Sequence, residues 1–387
     1  SGCNQAFVAT ALAVAGKGDR VLMMRPCYFN HESALGMLDV GIDYVDCDVD
    51  NGLLPDCAAI ANAIKDKTKA VSLISPNNPA GSIYPPDLLT KIFKLCQARK
   101  IWLILDETYR DFLPLDQAVP HHLFTQDNWE NTLIQLYSFS KSYCLPGYRL
   151  GAITAGPDLA FQLAKIIDNI QICAPRTVQH ALAPMIDKLA DWRDQNRQRI
   201  AARVTVFRRA LDQLDGWELL SSGAYFGFVR HPYSGVDSLE VAQIMARKAG
   251  VLVIPGAFFG DGQDARLRFA FANAGVSLEG LSFSSLLDKV PLGIVLGLFV
   301  GKQLGVFIFS YISIKLKIAQ MPNNTSWYNF YGVGVLTGIG FTMSLFVGNL
   351  AFAENIQYMD GVKIGVLTGS LLSTLFGYFL ILLTPNR

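Results

Sequence analysis

Three short polar words recur along the first part of the chain, each at the end of an apolar run. They are Ser75-Pro76-Asn77-Asn78-Pro79-Ala80-Gly81, Asp106-Glu107-Thr108-Tyr109 and Ser138-Phe139-Ser140-Lys141, and Arg149 follows eight residues after Lys141 in Gly147-Tyr148-Arg149. Between them they supply an amine, a carboxylate, an amide, a phenol, hydroxyls and a guanidinium. A lysine amine is a nucleophile towards carbonyl carbon once it has lost its proton, which makes Lys141 the residue around which covalent chemistry would be built. Each word alone is weak; the ordered set is specific.

The elements that must position them can be read from the apolar runs. Arg20 to Met24, Ala70 to Ile74, Ile101 to Leu105, Leu133 to Tyr137 and Leu150 to Ala155 read as short buried strands. Helical stretches lie between, among them Pro86 to Arg99, where Pro86 and Asp87 suit a first turn. Such alternation predicts an α/β fold, a mostly parallel sheet covered by helices, with ligands at the carboxyl ends of the strands.

The ordered set resembles the class I/II aminotransferases, pyridoxal phosphate enzymes of fold type I, over roughly residues 1–272. The resemblance implies a three-layer large domain with part of a small domain, pyridoxal 5'-phosphate as cofactor, and amino acids and 2-oxo acids as substrates. By motif position Lys141 is the Schiff-base lysine, and Asp106 is the carboxylate that keeps the pyridine nitrogen protonated so that the ring accepts electrons. Asn78 and Tyr109 match the hydrogen-bond partners of the cofactor's phenolic oxygen. Ser138 and Arg149 match its phosphate ligands. Gly2, Cys3 and Asn4 open an apolar helical run and match the phosphate cup, with no side-chain role for Cys3. Tyr28 aligns with the aromatic residue that stacks on the pyridine ring, and His31 is placed behind Asp106; plain packing is the alternative for both. Arg268, in Arg268-Phe269-Ala270-Phe271-Ala272, matches the arginine that grips the substrate's α-carboxylate beside Asn78, with Arg266 as competitor. Ala80 stands where the family commonly has threonine. The match opens at the phosphate cup, so the segment that closes the site and helps build the family's homodimer is expected to be cut away, as is the last helix of the small domain.

Composition divides the chain. Of 33 basic and 32 acidic residues, positions 290–387 hold only Lys302, Lys315, Lys317, Lys363, Arg387, Glu354 and Asp360. The formal net charge of +1 gives no footprint for nucleic acid. All seven cysteines and all five histidines lie in the front part without a Cys-x-x-Cys pair, which fits a reduced, cytoplasmic type of protein and no metal site. Cys27, Cys96, Cys144 and Cys173 read as small core residues.

In the tail, Pro291 to Ile314, Tyr331 to Ala353 and Val362 to Leu383 are each long and apolar enough to cross a bilayer. Gly293, Gly297, Gly301 and Gly305 fall on one helix face and predict close helix packing. The repeated words Gly334 to Gly338 and Gly365 to Gly369 read as packing glycines. Lys302 lies about 17 Å into the first run, where a charge is functional by default and snorkelling is the alternative. Gly338 to Ser344 could interrupt its helix, as transporter sites require, a rule for which the family named next is itself a type case. With Phe271 to Leu278, these features resemble the C-terminal part of NhaA-type sodium/proton antiporters over residues 269–387. That implies the last helices of a larger transporter in a bacterial inner membrane, with Lys302 as its membrane lysine and the ion-binding aspartates on earlier helices.

The expected organisation is therefore an aminotransferase part at 1–272 and an all-α transmembrane part at 273–387. Phe269-Ala270-Phe271-Ala272 fits both families, so the chain reads as a chimera of two fragments. Lys315, Lys317 and Arg387 mark cytoplasmic sides by the positive-inside rule, which would put the front part on the wrong side of the membrane for an enzyme of cytoplasmic type. Transamination is the leading function, with sodium/proton antiport and an inactive joined product as the alternatives.

Overall fold

The computed structural model describes residues 2–271, 287–321, 325–340, 344 and 358–382, and the chain falls into two compact units, 1–272 and 273–387. In the first unit the helices are α1 (Gly2–Val14), α2 (Phe29–Met37), α3 (Cys57–Ala63), α4 (Pro86–Arg99), α5 (Phe139–Ser142), α6 (Pro157–Ile170), α7 (Arg176–Leu182), α8 (Ala190–Leu211) and α9 (Ser238–Ile244). The main sheet contains β1 (Arg20–Arg25), β2 (Gly41–Asp46), β3 (Thr68–Ile74), β4 (Trp102–Asp106), β5 (Leu133–Ser138) and β6 (Gly151–Thr154), in the order β2-β1-β3-β4-β5-β6. All pairs are parallel except β5 with β6. A smaller antiparallel sheet holds β7 (Glu218–Gly223), β8 (Phe226–Arg230), β9 (Ile254–Pro255) and β10 (Arg266–Ala270), in the order β7-β8-β10-β9.

Alternation along the parallel strands makes three layers, because successive side chains leave a strand on opposite faces. Leu22, Val71, Leu73, Leu103 and Leu105 pack on one face with Ile60 of α3 and Leu89, Ile92 and Phe93 of α4. Val21, Met23, Ala70, Ile104, Ile134 and Leu136 pack on the other with Phe7 of α1, Leu35 of α2 and Leu159 and Leu163 of α6. Helix α4 takes the limits its ends specify: Pro86 and Asp87 in the first turn, and Lys100 in the left-handed conformation after the last. Of the cysteines read as core residues, Cys27 and Cys96 are buried, whereas Cys144 and Cys173 are exposed. They lie near irregular turns, beyond the layers of the sheet.

In the second unit, α10 (Lys289–Val295) continues through a π-helical stretch, Leu296–Gly301, into α11 (Lys302–Lys315); α12 (Trp327–Leu336) and α13 (Met359–Leu382) follow. Two helices, Lys289–Lys315 and Gly361–Leu382, are long and apolar enough to cross a membrane. This corrects the expectation of three among the described residues. Helix α12 ends after ten residues, in the Thr337–Gly338 turn, and most of the run beyond, 341–343 and 345–353, lies outside the described residues, as does 272–278. Among the described residues a Cβ built on Gly293, Gly297 or Gly305 would meet nothing within 4 Å, whereas one on Gly365 would come within 2.9 Å of Pro291 O and one on Gly369 within 3.1 Å of Leu298 Cβ. Close approach among the described residues of this unit involves Gly365 and Gly369 of α13, Gly332 of α12, and Gly338, where a Cβ would lie 2.5 Å from Leu298 O. Lys302 is exposed at the start of α11.

Candidate active site

The carboxyl ends of β3, β4 and β5 and the N-terminus of α1 enclose a cavity of about 170 Å3. Cys3, Asn4, Tyr28, Asn78, Asp106, Tyr109, Ser138, Lys141 and Arg149 all line it, with Thr108 and Ser140 among the others. The words read from the sequence thus converge on one place, as the carboxyl ends of parallel strands must when their loops carry the polar residues.

Gly2 and Gly151 allow a close approach beside Arg149. Gly2 has φ +75°, and a Cβ there would lie 2.6 Å from Arg149 Nη2; a Cβ on Gly151 would lie 2.8 Å from the Gly2 carbonyl carbon. With no side chain between them, β6, the first turn of α1 and the Arg149 guanidinium come together. The first N–H groups of a helix have no intrahelical acceptor, so this end presents backbone donors as well as a positive charge. Arg149 Nη1 also donates to Pro146 O at 2.9 Å, and Ser138 Oγ accepts from Ser140 N at 3.3 Å as it caps α5.

Asp106 lines the same cavity and is buried. Its Oδ1 accepts from Thr108 N at 2.9 Å, and its Oδ2 faces His31 Nε2 at 3.2 Å and the Cys3 thiol at 3.5 Å. Burial pushes this carboxyl up, but His31 and the Thr108 hydroxyl and amide outweigh it and hold the group below the usual carboxylate range. His31 itself lies flat on Phe7, ring centres 3.7 Å apart at 3°, with the Tyr28 ring edge-on at 5.4 Å. The imidazole is therefore fixed by stacking before it meets the carboxylate. Cys3, read as a backbone contributor alone, brings its side chain to Asp106 as well.

Burial holds the Lys141 amine below the usual ammonium range, Arg268 and Arg149 add to the effect, and Asp106 opposes it. Its Nζ lies 5.9 Å from the centre of the Tyr109 ring. Tyr109 is pushed well above the usual phenol range by burial first and by Tyr225 next. Arg268 donates Nη1 to Asn78 Oδ1 at 2.8 Å, and its guanidinium lies 4.9 Å from the Phe226 ring and 5.2 Å from the Phe259 ring. The buried Arg268 Nε has no hydrogen-bond partner among the described residues. Arg266, the competitor, donates instead to Gln263 Oε1.

Tyr225 and Thr108 were not singled out from the sequence. Thr108 sits inside a word already read, and its position two residues after Asp106 is the signal that a short side chain there can fold back onto the carboxylate. Tyr225 comes from the turn between β7 and β8, its ring 5.3 Å from that of Tyr109, and nothing local to it announces the contact. Glu107, next to Asp106, points elsewhere: it is buried against His121 Nε2 at 3.3 Å, Gln135 Nε2 and Arg110 Nη1 at 3.5 Å.

The family profile described as aminotransferase class I and II matches residues 1–281, and that described as Na+/H+ antiporter 1 matches residues 268–381. Among solved structures, N-succinyldiaminopimelate aminotransferase from Mycobacterium tuberculosis is similar with TM-score 0.65 and 26% identity, over 70% of this chain and 71% of that one. Aromatic aminotransferase from Pyrococcus horikoshii has TM-score 0.67 and 24% identity, over 70% of this chain and 74% of its own, a likeness of fold. Among curated proteins, the Na(+)/H(+) antiporter NhaA of Pelagibacter ubique is 75% identical over 119 residues, 31% of this chain and 30% of that protein. NhaA 1 of Novosphingobium aromaticivorans is 55% identical over 117 residues, 30% of this chain and 28% of its own. The chain thus spans about 30% of the length of these curated relatives.

Proposed function

We propose that this chain, which belongs to the class I and II aminotransferases, holds pyridoxal 5'-phosphate in the strand-end cavity and transfers an amino group between an amino acid and a 2-oxo acid. The residues present fit that group by their chemistry: backbone donors of α1 with the Arg149 guanidinium for an anion, a carboxylate held below the usual range at Asp106, and on the same cavity a lysine amine held below its ordinary range. The Gly2 cradle, the Cys3 and Asn4 amides, Ser138 and Arg149 would take the phosphate; Asp106 would take the pyridine nitrogen; Asn78 and Tyr109 the phenolic oxygen; and Tyr28 the ring face. When bound, the cofactor supplies an aldehyde for covalent attachment of amines and an electron sink for the substrate's Cα.

The chain's own residues do the rest. Lys141 Nζ, whose proton is held less tightly than in a free lysine because of burial and two guanidinium groups, can take the proton from the substrate's Cα and return it elsewhere. Arg268, with its Nε without a partner among the described residues and its Nη1 on Asn78, orients the substrate by its α-carboxylate. His31 holds Asp106 from behind and keeps it an acceptor. The observation that carries this reading is the convergence of Lys141, Asp106, Asn78, Tyr109 and Arg149 on one cavity. The test is direct: the full chain in detergent, given pyridoxal 5'-phosphate, should develop the yellow absorption of a lysine-bound cofactor, and Lys141→Ala should not. Equal absorption in both would remove Lys141 from the role.

For residues 268–381 the likeness to antiporters supports a second reading: this part lies in a bacterial inner membrane and takes part in sodium/proton exchange, with Lys302 as its membrane lysine. Two helices of spanning length favour the membrane. Sodium-dependent proton flux in vesicles containing the chain tests the exchange. The two profiles overlap on residues 268–281, which supports the reading of the chain as two joined fragments. Sequencing the source DNA across that overlap decides it, since an uninterrupted natural reading frame there would end the idea.

A further inference from the structure

Lys141 sits on α5, four residues long, between β5 and a turn at Pro146–Tyr148. A helix so short cannot hold itself by its own hydrogen bonds. What surrounds it is aromatic: the rings of Tyr137 and Phe139 are 5.1 Å apart, and those of Phe139 and Tyr143 are 5.3 Å apart. Two of these three rings are held from outside by one ion pair. Tyr137 Oη donates to Asp111 Oδ2 at 2.5 Å, Arg193 Nη1 of α8 donates to Asp111 Oδ1 at 2.9 Å, and the same guanidinium lies 5.0 Å from the centre of the Tyr143 ring. The Asp111 and Arg193 side chains are only 20% and 25% exposed, so solvent screens the pair less than it would a surface pair. One turn further along α8, Arg197 donates Nε to Leu113 O at 2.9 Å and Nη2 to Gln117 O at 3.0 Å and to Pro114 O. The segment that follows Tyr109 is thereby fixed to the same helix.

We infer that Asp111 and Arg193 are positioning residues: a strut that acts through Tyr137 and Tyr143 to set where the Lys141 amine points. The inference rests on the reading of Lys141 as the residue that captures the cofactor. Capture joins Nζ to the aldehyde carbon and releases one water, and it needs the amine in line with a carbonyl held by other groups. A displacement of about 1 Å in such an approach costs on the order of a hundredfold in rate. Binding of the phosphate and ring to the rest of the cavity needs no help from the amine. The strut should therefore matter to covalent capture and not to non-covalent occupancy, a distinction that a merely structural ion pair would not respect.

Two ligands separate these roles. Pyridoxal 5'-phosphate can be captured; pyridoxamine 5'-phosphate carries an amine in place of the aldehyde and cannot. In the full chain in detergent, Arg193→Gln and Asp111→Asn should slow capture roughly ten- to a hundredfold, followed by the growth of yellow absorption and by mass after borohydride trapping. Their calorimetric affinity for pyridoxamine 5'-phosphate should stay within about threefold of wild type, less than 1.4 kcal/mol. Arg193→Lys, which keeps a positive charge on Asp111, should recover part of the rate and guards against a Gln variant that fails to fold. Parallel loss of both ligands in folded variants, or capture at the wild-type rate, overturns the strut alone. Wild type that binds pyridoxamine 5'-phosphate yet captures no aldehyde overturns the role of Lys141, and the strut with it.

Discussion

Residues 1–272 and 273–387 are both rich in apolar side chains and place them in opposite ways. In the first unit Phe7, Leu22, Leu73, Phe93 and Leu103 are wholly buried between a sheet and its helices. In the second, Phe309 is 73% exposed and Leu316, Phe379 and Leu382 are exposed with it, while the helices satisfy their own backbone groups. Glycine differs in the same sense. In the first unit Gly2 and Gly151 bring backbone and guanidinium together around a polar cavity, whereas in the second Gly365 and Gly369 of α13 admit a neighbouring helix and Gly293 and Gly297 meet nothing among the described residues. One unit builds an interior against water and places its chemistry at the edge of that interior. The other has helices whose outer faces suit hydrocarbon.

That contrast can be broken by matched truncations. Phe93→Ala removes a ring at zero exposure from the α/β core and should destabilise the first unit by about 3 to 5 kcal/mol, the usual cost of a large core cavity. Phe309→Ala, at 73% exposure, should change stability by less than about 0.5 kcal/mol. Denaturant unfolding of the full chain in detergent, followed by near-UV circular dichroism, reads both. A comparable loss from Phe309 would mean that its ring is covered by protein after all, and the comparison would fail.

What could be read from the sequence divides along local and distant lines. The strand ends carrying Asn78, Asp106 and Lys141 were legible because each polar word directly follows its own apolar run, and α4 because Pro86 and Asp87 suit a first turn. β2 escaped notice: it is an edge strand with most positions half-buried, so it shows no continuous apolar run. Most of the second sheet escaped for the same reason of weak local pattern; only the arginine strand was noticed. The Arg268–Asn78 hydrogen bond joins residues 190 apart in sequence, and the contact of Tyr225 with Tyr109 comes from another sheet; no spacing rule carries that information. In the tail the four-residue glycine spacing was real, but which face meets a neighbour is set by the packing partner, and among the described residues the close approaches fall at Gly365 and Gly369 of α13, Gly332 of α12 and Gly338.

A polar contact of the first unit sharpens the contrast further. Arg268→Ala removes a guanidinium whose buried Nε has no partner among the described residues and whose Nη1 binds Asn78. If it grips the substrate carboxylate, amino-acid affinity should fall by about 2 to 5 kcal/mol, the usual loss for a buried charge-assisted pair. Cofactor affinity should move far less, because Arg149 and Asp106 are untouched. Titration of the cofactor-loaded chain with an amino acid, beside a titration of the cofactor itself, separates the two, and equal losses would take Arg268 out of substrate recognition.

The smallest effect concerns charge and pH. Burial, Arg268 and Arg149 hold Lys141 below its ordinary value of 10.5, with Asp106 opposing, so in the cofactor-free chain the folded state binds this proton less tightly than the unfolded state does. Between the lowered folded value and 10.5 the unfolded chain carries more of the proton, and stability therefore rises with pH across that window. Below the folded value the penalty for a buried ammonium is present in full. Lys141→Met, which keeps the stem and discards the charge, should thus melt at a higher temperature than cofactor-free wild type at neutral pH, and the gap should close as pH climbs towards 10.5. Residues 290–387 hold seven charged side chains in all, so the second unit has little to contribute to such a curve. A gap that stayed constant with pH would show that the variant acts by packing alone, and would leave the Lys141 amine without the depressed proton affinity on which its chemistry depends.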